Sequence, residues 1–120
     1  MPYPPEWVEP RLRLLADTLE AIRAELGRPV AVLSGYRSPA YNDRVGGVTR
    51  SQHMEGRAAD IKADGVSPRI VHALVLRLYA DGKLPHLGGL GEYPGFTHID
   101  VRPREGGVLA RWAGTRARAA

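Results

Sequence analysis

Two histidines and two aspartates stand at spacings that can build a reactive site. His53 lies seven residues before Asp60, and His98 lies two residues before Asp100. Gly56, between His53 and Asp60, lets the chain fold back so that both side chains can reach one point. Two imidazoles and one carboxylate, from His53, Asp60 and His98, form a donor set that suits a catalytic zinc ion and leaves a fourth position for water.

The residues around His98 alternate as in a strand with one apolar face. Alternation places four side chains on the face that can carry chemistry: Phe96, His98, Asp100 and Arg102. Asp60 is expected in another strand, where a buried carboxylate needs a partner, either a metal ion or an arginine. A histidine on a strand can also be purely structural, so spacing alone leaves the zinc site open.

The composition is that of one globular domain rich in arginine. The chain has 120 residues, of which 43% are hydrophobic and 25% charged, and its formal net charge is +4. We therefore expect a single domain over residues 1–120, with flexible ends at 1–6 and 114–120. The charge fits a polyanionic partner such as nucleic acid or a bacterial wall. The lack of cysteine excludes disulfides, thiolate metal sites and a cysteine nucleophile.

Signals for membrane insertion, export and nucleic-acid binding are missing from the sequence. No apolar run approaches the ~18 residues of a membrane helix, and the first residues do not resemble a signal peptide. We therefore expect no membrane span. The chain also lacks an aromatic strand platform, a zinc knuckle and a helix-turn-helix pattern, so we expect no nucleic-acid partner.

Hydrophobic spacing and turn residues predict two helices and five strands. In chain order these are a helix over 7–26, a strand over 29–33, a loop over 34–56, a strand over 58–63, a helix over 67–80, a hairpin of strands over 90–93 and 96–102, and an edge strand over 108–112. Because helices and strands mix without a βαβ rhythm, we expect an α+β fold with a mainly antiparallel sheet packed with helices.

Local signals fix the ends of both helices. Gly27 is typical of the residue after a helix, and Ser67 followed by Pro68 is typical of a helix start. The apolar face of the second helix is assigned to Ile70, Leu74 and Leu78, with Val71 and Val75 beside them. Trp112 is expected to cap the core.

Four short motifs follow one another along the chain. They are Ser34-Gly35-Tyr36-Arg37-Ser38, Ser-x-His-x-x-Gly-x-Ala-x-Asp at 51–60, Gly-x-Gly-x-Tyr-Pro at 89–94, and His98-x-Asp100. With these motifs, residues 30–112 resemble the zinc D-Ala-D-Ala carboxypeptidases of the M15 peptidase family, and most closely its small single-domain branch. The resemblance implies the α+β zinc-peptidase fold shared with the hedgehog signalling domain. It also implies a Zn²⁺ ion bound by His53, Asp60 and His98.

The resemblance further implies a hydrolase that cuts peptide bonds in the stem peptides of peptidoglycan. Such a metallopeptidase is either a D-Ala-D-Ala carboxypeptidase or an endolysin-type endopeptidase. It would act at the cell wall or periplasm of a bacterium, or as a phage lysis protein, and we expect a monomer. The alternative is a zinc-containing domain that binds wall peptide or a protein partner without cutting it.

The general base is the open point in this assignment. Many relatives carry Glu or Asp three residues before the last histidine, where this chain has Gly95. Asp100 is the first candidate, although it could instead orient a metal ligand or Arg37. Glu92 is the second candidate, with a solvated hairpin position as its other interpretation.

Three further residues are assigned to the substrate. Arg37 can clamp a carboxylate with two hydrogen bonds, and in the family the matching arginine contacts the substrate or the oxyanion. Its alternative is a structural ion pair with Asp43 or Asp100. Ser51 is expected to hydrogen-bond substrate or loop backbone. Tyr93 is expected to line one side of the substrate cleft, with core packing as its alternative.

Overall fold

A computed structural model describes residues 12–34 and 57–115, and these ranges contain two helices and a sheet. The helices and strands are α1 (Arg13–Leu26), β1 (Val30–Ser34), β2 (Ala58–Ala63), α2 (Pro68–Ala80), β3 (Gly89–Glu92), β4 (Thr97–Asp100) and β5 (Ala110–Ala113). A short 3-10 turn, Glu105–Gly107, precedes β5. Neither helix in these ranges is long and apolar enough to cross a membrane.

The five strands form one sheet in the order β1-β2-β4-β3-β5. The first three neighbouring pairs are antiparallel, and the β3 and β5 pair is parallel. The predicted α+β class and the hairpin of β3 and β4 are confirmed. The predicted edge strand is also present, shifted to Ala110–Ala113, and it runs alongside β3.

One face of the sheet packs against both helices and forms the hydrophobic core. Alternate strand residues supply this face: Ala59, Ile61, Ala63, Leu90 and Ile99. The helices contribute fully buried side chains, which include Ile22 of α1 and Val75 of α2. Burying a large aliphatic side chain contributes roughly 1.5–3 kcal/mol, so this face fixes the sheet register.

The ends of both helices follow the local signals in the sequence. α1 ends at Leu26, and the next residue, Gly27, adopts φ 64° and caps the helix by donating its backbone N–H to the Arg23 carbonyl. α2 begins after Ser67, whose hydroxyl accepts a hydrogen bond from the Ile70 amide, and Pro68 occupies the first turn.

The buried face of α2 differs from the predicted one. Val71, Val75 and Leu78 are buried, whereas Ile70 is 59% exposed. The apolar residues of α2 cover more than half of its circumference, so periodicity alone does not select the side that meets the sheet. The position of the helix over β2 and β4 makes that selection.

The opposite face of the sheet carries polar side chains and glycines. Strand pairing places residues of β2, β4 and β3 opposite one another on this face: Ala58, Asp60, His98, Asp100, Gly89 and Gly91. Asp60 and Asp100 have no exposed surface, and His98 is 7% exposed. The core thus holds the sheet from one side while a buried polar cluster lies on the other.

Candidate metal centre

Strand pairing brings Asp60 and His98 together although they are far apart in sequence. They are directly opposite each other in the antiparallel pair of β2 and β4. His98 Nδ1 lies 3.0 Å from Asp60 Oδ1, and both side chains are buried. The sheet register therefore places one imidazole nitrogen and one carboxylate oxygen at a common point.

The second ring nitrogen of His98 faces a different carboxylate. His98 Nε2 lies 2.8 Å from Asp100 Oδ2. A carboxylate only accepts, so without a metal ion each ring nitrogen donates a proton to the carboxylate it faces, Nδ1 to Asp60 and Nε2 to Asp100. A metal ion between Nδ1 and Asp60 would take the place of the Nδ1 proton, while the Nε2 proton would stay on its hydrogen bond to Asp100.

Asp100 is held in turn by Arg102. The Arg102 guanidinium donates from Nε to Asp100 Oδ1 at 2.8 Å and from Nη2 to Asp100 Oδ2 at 2.6 Å. The Arg102 backbone amide also donates to Oδ1, at 3.2 Å. Both oxygens of this fully buried carboxylate are therefore engaged, and its position is fixed from two sides.

The electrostatics of His98 and Asp100 follow from these contacts. Burial alone lowers the pKa of His98, but the hydrogen bonds with Asp100 and Asp60 and their negative charges outweigh it, so the pKa is raised. Burial alone raises the pKa of Asp100, but the hydrogen bonds from His98 and Arg102 outweigh it, so the pKa is lowered. Asp100 is thus an anion at neutral pH.

Two glycines of β3 make space for this cluster. A Cβ atom on Gly89 would overlap the Asp100 carboxylate, which lies opposite it in the register. A Cβ atom on Gly91 would lie 2.6 Å from Trp112 Nε1. The Gly-x-Gly motif therefore serves packing, because any side chain at either position would displace a member of the cluster.

Aromatic side chains border His98 on the β5 side. The Trp112 ring lies 5.0 Å from the His98 ring, centroid to centroid, at an interplanar angle of 54°. Trp112 Nε1 donates to the Tyr93 hydroxyl at 2.8 Å, and Tyr93 stacks on Phe96 with centroids 4.4 Å apart. The half-buried Trp112 therefore belongs to this cluster as well as to the edge of the sheet.

The described donors suit a zinc ion in type and spacing. Two ligands of a tetrahedral zinc, each bound at about 2.0–2.1 Å, lie about 3.3 Å apart. The distance of 3.0 Å between Asp60 Oδ1 and His98 Nδ1 is close to that value. Within residues 12–34 and 57–115, no three His, Cys, Asp or Glu side chains converge as a complete metal site. The third predicted ligand, His53, lies outside the described residues.

The other predicted site residues fall into three groups. Arg37 and Ser51, like His53, lie outside the described ranges. Tyr93 contacts the cluster through Trp112. Glu92 follows Gly91 on β3 and so projects toward the helix side, where it lines a cavity with Ser67 at the start of α2.

Sequence reasoning missed the parts played by Arg102 and Trp112. The strand pattern predicts the correct face for Arg102 but gives it no role, and the position of Trp112 predicts only that it caps the core. One signal was present in the sequence: glycine at alternate positions of a strand indicates that something bulky lies against it. The identity of that bulky group depends on the parallel pairing of β5 with β3, which no local pattern encodes.

Comparisons with known proteins agree with the motifs. The profile of the family described as Peptidase M15 matches residues 5–100. A segment of 46 residues is 46% identical to the zinc D-Ala-D-Ala carboxypeptidase of Streptomyces albus G. That segment is 38% of this chain and 18% of the relative, so most of the relative has no counterpart in the match. Arg102 and Trp112 follow the last residue that the family profile matches.

Proposed function

Because this chain belongs to the peptidase M15 family, we propose that it is a zinc-dependent metallopeptidase that hydrolyses peptide bonds in peptidoglycan stem peptides. The observation that carries the proposal is the buried pair of Asp60 Oδ1 and His98 Nδ1, 3.0 Å apart on adjacent strands. A carboxylate and an imidazole at this spacing, with Nε2 of the imidazole tied to a second carboxylate, are typical of zinc ligands with their outer support.

In this proposal His53 joins Asp60 and His98 as the third ligand. These three residues would hold a zinc ion with one position left for water, and the ion would supply a lower pKa for that water, toward ~7, and polarisation of the scissile carbonyl. The protein residues fix the ligand geometry: the β2 and β4 register brings the two described donors together, and burial keeps bulk water from competing for them.

We assign Asp100 a positioning role. Both of its oxygens accept hydrogen bonds from Arg102, and one also accepts from His98 Nε2. A general base must offer a lone pair to a water molecule at hydrogen-bond distance. A fully buried carboxylate with these partners is better suited to fix the His98 tautomer than to take a proton. This supports the orienting alternative that the sequence left open for Asp100.

Glu92 is a weaker candidate for the base. Its position on β3 puts it on the helix face of the sheet, next to Ser67 and Pro68, whereas His98 projects from the other face. We therefore propose that neither Asp100 nor Glu92 supplies the base. Arg37, Ser51 and Tyr93 remain the proposed contacts for the peptide substrate.

The finer assignment follows the similarity to the zinc D-Ala-D-Ala carboxypeptidase of Streptomyces albus G. We propose a D-Ala-D-Ala carboxypeptidase or an endolysin-type endopeptidase, working as a monomer at the cell wall, in the periplasm or in phage lysis. We also propose that residues 1–120 form one peptidase domain of the hedgehog and DD-peptidase type.

The test is digestion of purified peptidoglycan by the zinc-loaded chain, followed by mass spectrometry of the released muropeptides. We expect a new peptide terminus at one defined bond. His98→Ala should abolish the cleavage, whereas His86→Ala should cleave as the wild type does, because His86 is exposed and outside the cluster. Intact muropeptides after digestion by wild-type protein that has bound zinc would overturn the peptidase assignment.

A non-catalytic domain that binds wall peptide is the second candidate. One observation favours it: neither predicted base, both of which are among the described residues, is placed to activate water at the proposed site. Both oxygens of Asp100 accept hydrogen bonds from Arg102, and Glu92 lies on the helix face of the sheet, opposite His98. This candidate predicts saturable binding of a stem peptide by the zinc-loaded protein without any change in peptide mass. Cleavage of the same peptide would exclude it.

A further inference from the structure

Four side chains near the proposed metal form a closed ring of contacts. His98 Nε2 donates to Asp100, Asp100 accepts two hydrogen bonds from the Arg102 guanidinium, and the Arg102 guanidinium carbon lies 5.1 Å from the centre of the Trp112 ring. The Trp112 ring closes the circuit by lying 5.0 Å from the His98 ring. Trp112 thus reaches His98 by direct ring contact and also through Arg102 and Asp100.

We infer that Arg102 and Trp112 are positioning residues that fix the orientation of the His98 ring for metal binding. The inference rests on the proposed function, since it gives these residues a purpose only if His98 binds a metal ion. It extends that function to two residues beyond the stretch that the family profile matches.

The physical reason is that a histidine ring rotates easily about its last torsion. The torsion between Cβ and the ring has broad, roughly twofold minima, so a single hydrogen bond leaves considerable freedom. Asp100 fixes where Nε2 points, and Trp112 limits the tilt of the ring plane. Arg102 couples the two restraints, because its planar guanidinium holds both oxygens of Asp100 while it lies over the indole.

Trp112 is itself well fixed. Its Nε1 donates to the Tyr93 hydroxyl, and the glycine at position 91 lets the indole approach the β3 backbone. Tyr93 stacks on the fully buried Phe96, which anchors this end of the ring in the protein interior. A restraint transmits orientation only when its own position is fixed, and Trp112 meets that condition.

A second arginine in the same segment provides a matched control. The Arg104 guanidinium carbon lies 5.3 Å from the centre of the Tyr79 ring, and Arg104 donates to the Tyr79 hydroxyl and to the Pro85 carbonyl, both at 2.9 Å. Arg104 therefore has the same chemistry and the same kind of aromatic partner as Arg102. In the described part of the chain, the side-chain partners of Arg104 are Tyr79 and Pro85 rather than His98, Asp100 or Trp112, so its loss should report on stability.

The experiment compares Arg102→Gln, Trp112→Leu and Arg104→Gln in the full chain. Zinc affinity is measured by competition with a chromophoric chelator, and His98 is followed by long-range proton–nitrogen NMR in metal-free and zinc-loaded protein. We expect Arg102→Gln and Trp112→Leu each to weaken zinc binding about 10-fold or more, the usual effect of losing support for a metal ligand. Both should also shift the His98 ring-nitrogen resonances, and Arg104→Gln should change neither.

Milder variants cover the case in which a replacement does not fold. Arg102→Lys keeps the positive charge but loses the two-pronged hydrogen bonding to Asp100. Trp112→Phe keeps an aromatic ring but loses the hydrogen bond to the Tyr93 hydroxyl. We expect smaller losses of zinc affinity in both. Wild-type affinity with unshifted His98 resonances in folded Arg102 and Trp112 variants would overturn the inference.

The design separates this inference from the proposed function. If the wild-type protein binds no zinc and cleaves no peptide, the proposed function fails, while the His98 resonances of the metal-free variants still test the restraint. If the wild type binds zinc and cleaves peptide, but the Arg102 and Trp112 variants match Arg104→Gln, the positioning role alone fails.

Discussion

Gly91 and Trp112 are partners in the parallel pair of β3 and β5, and the indole occupies the space into which a side chain at position 91 would project. The same indole contacts His98, the partner of Gly91 on the other side of β3. The missing side chain of Gly91 is therefore what allows Trp112 to lie beside a proposed metal ligand.

Replacing Gly91 with alanine should destabilise the fold. The new Cβ would lie 2.6 Å from Trp112 Nε1 and 2.7 Å from its Cε2, so the indole must move. Overpacking of this kind costs about 1–3 kcal/mol in the free energy of unfolding, which urea denaturation measures.

The control for this substitution is a double-mutant cycle with Trp112→Ala. Once the indole is gone, alanine at position 91 has room, and its smaller backbone entropy cost favours the strand. We expect Gly91→Ala to be neutral or stabilising in that background. Equal destabilisation in both backgrounds would show that the clash with Trp112 is not the cause.

Asp100→Asn should lower both stability and zinc affinity. The substitution removes the negative charge that faces the Arg102 guanidinium. It also replaces the carboxylate oxygen that accepts from His98 Nε2 with an amide group that accepts more weakly or is wrongly oriented. We expect a loss of about 2 kcal/mol in the free energy of unfolding and about 10-fold or more in zinc affinity. Loss of peptidase turnover with unchanged zinc affinity would instead restore Asp100 as the general base.

Ser67→Ala should weaken α2 without affecting the polar cluster of Asp60, His98 and Asp100. The Ser67 hydroxyl accepts a hydrogen bond from the Ile70 amide at 3.4 Å, which is long, so we expect a loss at the low end of the range for helix caps, about 0.5–1 kcal/mol. Thermal unfolding measures it. Ser67→Asp should restore the wild-type value because aspartate caps helices equally well, and zinc affinity should be the same in all three proteins.

Removing the metal should lower the unfolding temperature. A ligand that binds only the folded state at 100 times its Kd stabilises it by about 2.7 kcal/mol. We therefore expect a chelator to lower the Tm of the purified protein by several degrees and added zinc to restore it.

Histidine variants assign this thermal shift to the cluster. His98→Ala should abolish the zinc-dependent change in Tm, while the exposed His86→Ala should retain it. A zinc-dependent shift that survives in His98→Ala would place the ion elsewhere in the protein.

Local signals in the sequence were sufficient for much of the fold. Gly27 and the pair Ser67 and Pro68 set helix ends through contacts within a few residues, so their effects could be predicted. The strand over 58–63 was also predicted with its observed bounds. The family motifs predict that Asp60 and His98 share one metal ion with His53, and the strand register places the first two of these side by side.

What the sequence did not predict depends on contacts between distant segments. The exposure of Ile70 follows from the angle at which α2 meets the sheet. The parallel position of β5 beside β3 brings Trp112 to His98, and nothing near residue 112 indicates that partner. The bidentate contact between Arg102 and Asp100 required knowing that both side chains point to the same buried space.

The order of the strands along the chain has a consequence for biosynthesis. A ribosome makes His98 before Arg102 and well before Trp112, whereas β5 must still cross to β3 before the indole reaches the imidazole. A nascent chain that has emerged only as far as the histidine therefore has the proposed ligand without its contact to Trp112. If His98 binds the proposed zinc ion, binding in the mature geometry would wait until β5 has left the ribosome and paired with β3.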